Sequence, residues 1–240
     1  MTAGKQNACV CLSPLLIENF RPKDSLVVVI DILRATSCWV TALANGAVSV
    51  YPVSTLDECR ILMEKGSFGA AERQGKQVEG FDAGNSPFDF SNDRVKGKRI
   101  AATTTNGSKT VKGLMSAREM IIGSMLNFSA IADYLLKSGS EILLACSGWE
   151  GGISLEDMLF AGVLLEKIES GYVPADDSSV ACIELWKNAK PDFRNWLKKS
   201  SHVQRLLRLG LEKDIDYCFS FDFYGIVPRL VGNEILNSSQ

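Results

Sequence analysis

The sequence predicts an α/β fold, with three layers (αβα) and a sheet that is largely parallel or mixed. Unbroken apolar runs, such as 27–30 and 141–146, are typical of parallel strands that are buried on both faces. Stretches with helical spacing of apolar residues follow these runs after short polar loops, which is typical of a sheet with helices on both sides. No repeat or linker divides the 240 residues. We therefore expect one domain over 1–240, with two tightly packed lobes as the alternative.

The predicted elements follow one another as strand and helix pairs. In chain order the strands are 27–30, 48–53, 98–102, 120–123 and 141–146, and the helices are 37–44, 55–65, 109–116, 128–137 and 154–168. The first helix ends at Asn45 and Gly46, since these residues readily adopt the left-handed conformation that closes helices. Ser54 or Thr55 caps the start of the second helix. Spaced apolar residues after 186 predict a mostly helical C-terminal third.

The overall charge excludes several classes of partner. The sequence contains 26 Lys and Arg residues and 28 Asp and Glu residues, and no basic patch is interleaved with aromatic residues. We therefore expect no nucleic-acid partner. No apolar run approaches the ~20 residues that span a bilayer, so we expect no membrane partner. The first residues lack the apolar core of a signal peptide. These observations predict a cytoplasmic protein.

The cysteines and the single histidine limit the metal and nucleophile chemistry. Seven cysteines are scattered without a C-x-x-C pair, which argues against a disulfide framework or a structural zinc site and favours reduced thiols. Because His202 is the only histidine, His-based metal clusters and Ser-His triads are excluded by counting. The sequence favours His202 as a satisfied helix residue over a catalytic one.

Three polar loops follow buried strands, and we expect all three at one edge of the sheet. The first carries Asp31 and Arg34, an acid and a guanidinium three residues apart. The second, 103–108, offers hydroxyls, an amide and a glycine that suit an oxyanion, although a helix cap with a tight turn explains it equally well. The third, 147–157, is rich in glycine. Within this third loop, Ser154 and Asp157 resemble a capping box, with Asp in place of Glu or Gln.

A fourth segment, at 71–75 and 80–87, is dense in glycine, acids and amides and lacks apolar periodicity. Long loops of this kind are often functional, and Glu72 with Arg73 again pairs an acid with an arginine. No glycine-rich nucleotide signature is present, so NTPase and dinucleotide functions lack support. Leu33 stands where a haloacid-dehalogenase phosphatase needs an aspartate, so that class is excluded as well.

Taken together and in order, these segments resemble the 2-phosphosulfolactate phosphatase family, also called ComB. The resemblance covers about residues 12 to 235 and includes 31–36 (DILRAT), 72–73 (ER), 84–87 (GNSP), 104–107 (TTNG), 154–157 (SLED), 214–218 (DIDYC) and 227–228 (VP). Each motif is weak alone, but their common order is specific. One departure is Ala71, where the family more often has glycine; it removes no charged group.

The resemblance implies a magnesium-dependent phosphatase with an α/β fold distinct from haloacid-dehalogenase and P-loop folds. It implies hydrolysis of 2-phospho-3-sulfolactate to 3-sulfolactate and phosphate, in coenzyme M biosynthesis or in other sulfolactate metabolism. Mg²⁺ is usually held by one or two carboxylates and the substrate phosphate. On this basis the expected ligands are Asp31, Glu156 and Asp157.

The small anionic phospho-acid substrate would be bound by two arginines and a set of polar groups. Arg34 and Arg73 would grip phosphate and sulfonate through paired N–H donors. The remaining donors are expected from Asn85, Ser86, Thr104, Thr105, Asn106 and Gly107. The nucleophile stays open between metal-activated water with Glu72 or Asp31 as base, which we prefer, Asp31 itself as a covalent nucleophile, and, less favoured, Cys146 or Cys38.

Two rival functions remain at this stage. One is a non-catalytic sensor or binding protein for a small phosphorylated or sulfonated acid. Four carboxylates near the ligand, those of Asp31, Glu72, Glu156 and Asp157, argue against it, because an anion binder gains nothing from them. The other rival is a phosphatase for a different phospho-hydroxy acid. The sequence leaves the oligomeric state open, with a homodimer as one alternative.

Overall fold

A computed structural model describes residues 4–237 of the chain. The strands are β1 (Gln6–Cys11), β2 (Leu26–Ile30), β3 (Ser49–Pro52), β4 (Phe68–Arg73), β5 (Lys76–Gln77), β6 (Arg99–Thr103), β7 (Glu119–Gly123), β8 (Ile142–Cys146), β9 (Tyr172–Pro174), β10 (Pro228–Val231) and β11 (Glu234–Asn237). The helices are α1 (Ala35–Ala44), α2 (Leu56–Glu64), α3 (Asn92–Val95), α4 (Gly107–Gly113), α5 (Phe128–Ser138), α6 (Leu155–Lys167), α7 (Asp177–Ala189), α8 (Phe193–Trp196), α9 (Ser201–Arg208) and α10 (Glu212–Cys218). Short 3₁₀ turns lie between them.

The described strands form one mixed sheet in the order β5-β4-β6-β3-β11-β10-β7-β2-β8-β1-β9. Two groups within it are parallel: β4, β6 and β3, and the group of β7, β2, β8, β1 and β9. The antiparallel hairpin of β10 and β11 lies between the groups and meets each through a single residue pair, Arg229 with Ile121 and Ile235 with Val50. The predicted α/β class with a largely parallel or mixed sheet is confirmed.

The buried strand β2 shows why the fold has three layers. All five of its residues are fully buried. Leu26, Val28 and Ile30 belong to the core that includes α5 and α6, while Val27 and Val29 belong to the core that includes α1 and α4. Alternate side chains of a strand point to opposite faces, so an unbroken apolar run is the sequence of a strand covered on both sides.

The predicted helix starts are largely confirmed, with two differences. Thr55 caps α2 in a complete capping box with Glu58. Ser154 caps α6, since its hydroxyl accepts from the Asp157 amide at 3.3 Å, but the expected return bond is absent because the Asp157 carboxylate binds elsewhere. Helices α1 and α4 begin at Ala35 and Gly107, each two residues earlier than predicted, and α4 ends at Gly113. Within residues 4–237 no helix has both the length and the apolar character needed to cross a bilayer.

Candidate active site

Four strand ends and one helix meet around a single cleft of about 170 Å³. The segments that follow β2, β4, β6 and β8 supply most of its walls, and α9 covers one side. The lining residues are Asp31, Leu33, Arg34, Glu72, Gln74, Gly75, Asn85, Thr104, Thr105, Asn106, Trp149, Glu150, His202, Arg205 and Leu206. All three polar loops predicted at one sheet edge, and the fourth segment, thus reach the same cleft.

Asp31 lies at the floor of this cleft, directly after β2. Its backbone N–H donates to the Thr36 hydroxyl, which donates in turn to the Asp31 carbonyl, and its Oδ1 accepts from the Ala35 amide at 3.1 Å. Burial raises the pKa of Asp31 to about 6, with a further increase from Glu156 and Glu72, although the Ala35 amide and His202 oppose the shift. Oδ2 has no hydrogen-bond partner within residues 4–237. Asp31 therefore offers one free oxygen that can take a proton or bind a cation.

Arg34 is held beside Asp31 by a buried network from the C-terminal part of the chain. The guanidinium donates through Nη1 to Oδ2 of Asp214, and both residues are only 4% exposed. Ser86 donates to the other Asp214 oxygen at 2.9 Å. Since Asp214 holds one side of the guanidinium, the remaining N–H donors are available to an anion. Ser86, predicted to touch substrate, does not line the cleft and instead holds Asp214.

The segment after β6 supplies neutral donors. The Thr104 amide donates to the Ser108 hydroxyl, and the Ser108 amide donates to Thr104 Oγ1, both at 3.1 Å, which closes the turn into α4. The side chains of Thr105 and Asn106 line the cleft and have no hydrogen-bond partner in the described part of the chain. Gly107 lies behind them, where an added Cβ would come within 2.9 Å of Asp31 Oδ2. The predicted tight turn is present, although Asn106 makes no side-chain cap to α4, and the donors of Thr105 and Asn106 stay available at the cleft.

Glu72 and Arg73 point in different directions although they are adjacent. Glu72 lines the cleft, and its Oε1 accepts from the Gly75 amide across the turn between β4 and β5. Arg73 donates to the Glu72 carbonyl at 2.7 Å and to the Thr103 hydroxyl at 3.3 Å, and it does not line the cleft. Of the two arginines predicted to clamp the substrate, only Arg34 lines the cleft.

Glu156 and Asp157 are buried behind the wall of the cleft and do not line the cleft. Asp157 accepts from the Ile32 amide at 2.9 Å and from the Gly148 amide at 3.2 Å, so it ties the loops after β2 and β8 together. Burial, together with the charges of Asp31 and Glu156, raises its pKa well above the ordinary value. Burial acts in the same direction on Glu156, but hydrogen bonds from His202 and Ser200 outweigh it and lower the pKa of Glu156.

These hydrogen bonds bear on the predicted metal ligands. Within residues 4–237 no three His, Cys, Asp or Glu side chains are grouped as a metal site, so Asp31, Glu156 and Asp157 do not form the expected three-carboxylate cluster. The physical reason is that all four oxygens of Glu156 and Asp157 already accept hydrogen bonds. Asp31 and Glu72 each keep one carboxylate oxygen without a partner at the cleft. Two carboxylates with a substrate phosphate and water are a donor set that suits Mg²⁺.

One wall of the cleft contains Trp149, His202 and Arg205; the sequence predicts a functional loop at 147–157, which includes Trp149, but does not identify His202 or Arg205 as part of the site. A tight hairpin places Trp149: Trp149 and Gly152 exchange backbone hydrogen bonds, and Gly148 has a φ of +65°. The Trp149 and His202 rings stack with centroids 3.9 Å apart, and the Arg205 guanidinium lies 5.0 Å from the Trp149 ring. The only available signal was that the sole histidine lies three residues before an arginine, one turn apart on a helix.

Two buried cysteines and a second, larger cleft are less suited to chemistry on a charged substrate. Cys38 and Cys146 are buried and do not line the cleft, and burial raises both thiol pKa values well above 9.0, which disfavours the thiolate nucleophile. A larger cleft of about 370 Å³ lies between α2, α4 and the C-terminal hairpin. Its lining is mostly apolar, and the charged residues Glu58 and Lys112 there pair with each other at 3.3 Å. The smaller, polar cleft is therefore the candidate active site.

Comparisons with known proteins give one consistent result. The model of a family described as 2-phosphosulpholactate phosphatase matches residues 11–233. A protein of Caldanaerobacter subterraneus subsp. tengcongensis is 42% identical over 223 residues, which cover 91% of this chain and 92% of that protein. A Thermotoga maritima protein is 40% identical, with 85% and 88% covered, and a Clostridium acetobutylicum protein is 34% identical, with 92% and 95% covered. All three carry the name "Probable 2-phosphosulfolactate phosphatase".

Proposed function

The chain belongs to the 2-phosphosulfolactate phosphatase family, and from this premise we propose that it hydrolyses 2-phospho-3-sulfolactate to 3-sulfolactate and phosphate. The observation that carries the proposal is the cleft in which Asp31, Glu72 and Arg34 meet. A binding protein for anions would gain from the arginine but not from two carboxylates beside it. An enzyme that transfers a phosphoryl group to water needs both signs of charge. The product would serve coenzyme M biosynthesis or another route of sulfolactate metabolism.

Substrate binding would use the donors that the cleft leaves without partners. The free N–H groups of Arg34 are suited to the phosphate, because a guanidinium donates two parallel hydrogen bonds to one oxyanion. Thr105 and Asn106 supply further donors at the same edge, and Asn85 borders it. Arg205 adds a second positive charge on the opposite side. A substrate with phosphate, carboxylate and sulfonate groups thus meets cationic or neutral donors on two sides.

For the chemical step, Asp31 is the preferred base. With a pKa of about 6 it is ionised at neutral pH and still basic enough to accept a proton from an attacking water. We propose Mg²⁺ as cofactor, held by Glu72 and the substrate phosphate when Asp31 is the base, or by Asp31 when Glu72 takes that role; when bound it would neutralise phosphate charge and acidify a water. The water oxygen attacks phosphorus, the bond from phosphorus to the substrate oxygen breaks, and one water proton passes to Asp31. Glu72 is fixed by the Gly75 amide and can serve as base in its place.

Asp31 as a covalent nucleophile remains the alternative mechanism. Its free Oδ2 is consistent with either role, because a carboxylate oxygen can attack phosphorus as well as take a proton. Trapping during a single turnover distinguishes them. Direct attack of water leaves Asp31 unmodified, whereas an aspartyl-phosphate at Asp31 is reduced by borohydride to homoserine, as mass spectrometry of the peptide would show.

Phosphate release tests the function itself. We expect the purified chain to release phosphate from 2-phospho-3-sulfolactate with added Mg²⁺, and to lose that activity in EDTA. Phospholactate and phosphoglycolate, assayed beside it, report the substrate class, since they lack the sulfonate. Binding of phosphosulfolactate without release under either condition would favour a sensor, and faster release from an unsulfonated acid would favour a phosphatase for a different substrate.

A further inference from the structure

His202 is the only histidine of the chain, and it borders the candidate active site although the site described above makes no use of it. Its side chain is 9% exposed, and the exposed part faces the cleft that it lines. Helix α9 carries it, more than 160 residues after Asp31 in the sequence. A titratable ring at the wall of a phosphatase site therefore has no role so far.

The ring is fixed through one nitrogen. Its Nδ1 lies 2.8 Å from Oε1 of Glu156, whose carboxylate is 1% exposed. The Ser200 hydroxyl donates to Oε2 of Glu156 at 2.9 Å, and the same hydroxyl caps the start of α9 by accepting from the Val203 amide. A carboxylate accepts but does not donate, so Nδ1 carries the hydrogen. Nε2, which has no partner within residues 4–237, is thereby left for the cleft.

A second contact fixes the plane of the ring. The Trp149 indole stacks on it with an angle of 8° between the planes, and the Arg205 guanidinium lies on the indole. A ring held by a carboxylate at one edge and an indole on one face has little freedom to rotate. Such restraint is the arrangement by which enzymes position a proton-transferring imidazole. A histidine that only filled space in the core would need neither contact.

We propose that His202 is the general acid of the proposed phosphatase reaction, and that Glu156 and Trp149 are its positioning residues. The inference depends on the proposed function. As the bond between phosphorus and the substrate oxygen breaks, Nε2–H of the imidazolium gives its proton to that oxygen, so the alcohol leaves neutral. Water supplies the new bond to phosphorus, and its proton goes to Asp31. Asp31 then loses this proton to solvent, and His202 regains one from solvent, so the cycle is balanced.

The leaving group explains why the reaction needs a general acid. The leaving group is the alkoxide of a secondary alcohol, which is strongly basic, so its departure is slow unless it is protonated. Arg34 cannot supply that proton, because a guanidinium does not deprotonate in proteins. Asp157 has a raised pKa but lies outside the cleft. The charged groups around the ring are Glu156 on α6, Asp31 and Arg34 after β2, Glu72 at the end of β4, Glu150 after β8 and Arg205 on its own helix.

The test is steady-state kinetics of His202→Gln on phosphosulfolactate with Mg²⁺. We expect kcat to fall about 10²-fold to 10⁴-fold, with KM changed less than about threefold. We also expect the variant to lose the alkaline limb of the kcat profile, which in the wild type reports loss of the acid's proton. A kcat within tenfold of the wild type, or an unchanged alkaline limb, would overturn the proposal. A parallel rise in KM would make His202 a binding group instead.

Glu156→Gln is the second variant, because it keeps an acceptor for Nδ1 and removes only the charge. The imidazolium is then less stabilised, so we expect a smaller fall in kcat and an alkaline limb displaced to lower pH. An unmoved limb in this variant contradicts the positioning role. If His202→Gln does not fold, as judged by circular dichroism, His202→Asn takes its place. A wild-type protein that releases no phosphate refutes the proposed function, whereas an active wild type with an equally active variant refutes this inference alone.

Discussion

The two walls of the cleft are built in different ways. We call Asp31, Arg34, Thr104, Thr105 and Asn106 the strand wall, and Trp149, His202, Arg205 and Leu206 the helix wall. In the strand wall, Asp31 is fixed by Ala35 and Thr36, and Thr104 by Ser108, at separations of four or five residues. In the helix wall, His202 is fixed by Glu156 across 46 residues. Local hydrogen bonds at strand ends therefore set Asp31 and Thr104, whereas Arg34, which Asp214 holds across 180 residues, and His202 depend on contacts between distant elements.

This difference suggests a division of labour between the walls. The strand wall holds the free acid oxygen and the buried guanidinium, so it is suited to bind and attack phosphate. The helix wall holds the stacked imidazole and a second guanidinium, so it is suited to the leaving group and the rest of the substrate. Loss of Asp31 or of His202 should therefore reduce the rate most, and loss of Arg205 should mainly weaken binding. The following predictions test that comparison, beginning with the largest effect.

Asp31→Asn should abolish nearly all activity while making the protein more stable. As the proposed base or metal ligand, Asp31 should contribute roughly 10³-fold or more to kcat. The folded-state pKa of about 6 lies above the unfolded value, so ionisation lowers stability as pH rises from about 4 to 6, and the loss is complete above that range. Asparagine removes this loss and keeps an oxygen for the Ala35 amide.

Thermal or urea unfolding in EDTA measures that gain. We expect about 1–3 kcal/mol at pH 7.5, since each unit of pKa shift corresponds to about 1.4 kcal/mol. The difference between the two proteins should disappear at pH 4. A variant that is less stable than the wild type at pH 7.5 would show that the buried charge is compensated, and the argument for a poised base would fail.

Arg34→Met should lower both stability and activity, because it leaves the Asp214 carboxylate buried without its partner. Removing one member of a buried ion pair typically lowers the free energy of unfolding by about 3–5 kcal/mol. The double variant Arg34→Met with Asp214→Asn is the matched control. It should recover a large part of the stability in urea unfolding but none of the phosphatase activity, and recovered activity would contradict a role for Arg34 in binding phosphate.

The same contrast explains how much of the site the sequence predicts. Asp31, Arg34 and the 104–106 segment follow apolar runs, and a parallel strand exposes the residues just after it at one edge, so their position follows from local pattern. His202 and Arg205 lie on an amphipathic helix whose docking is decided by side-chain packing with distant elements. The sequence shows the helix but not which of its faces meets the cleft.

The sequence does not show where three of the predicted residues point. Arg73, Glu156 and Asp157 lie in or beside the predicted loops, but each one makes hydrogen bonds away from the cleft. The C-terminal hairpin was missed because β10 and β11 each have only four residues and no alternation strong enough to mark them. Asp214 formed part of the family resemblance, yet its pairing with Arg34 spans 180 residues and has no local signal.

Gly107→Ala should displace Asp31 in the strand wall, because Gly107 packs directly against that residue. An added Cβ would lie 2.7 Å from Ala35 Cβ and 2.9 Å from Asp31 Oδ2, so α1, α4 or the carboxylate must move. Overpacking of this kind lowers stability by about 1–3 kcal/mol. We expect kcat to fall with it. Gly113→Ala on the same helix is the control, because its Cβ would meet only the end of the Ile17 side chain at 3.1 Å. Equal effects of the two substitutions on kcat would show that the contact with Asp31 does not matter.

Arg205→Met should show the smallest effect and should distinguish the two walls most directly. Arg205 lies on the Trp149 ring at the cleft and has no acidic partner within residues 4–237, so its charge is available to the substrate. Loss of one charge-assisted hydrogen bond corresponds to roughly 1.5 kcal/mol, or about a tenfold rise in KM, with kcat nearly unchanged. Arg208→Met, on the exposed side of the same helix, should leave both constants unchanged. A large fall in kcat for Arg205→Met would mean that the helix wall shapes the transition state through Arg205 as well as through His202, so the division between attack and recognition would have to be redrawn.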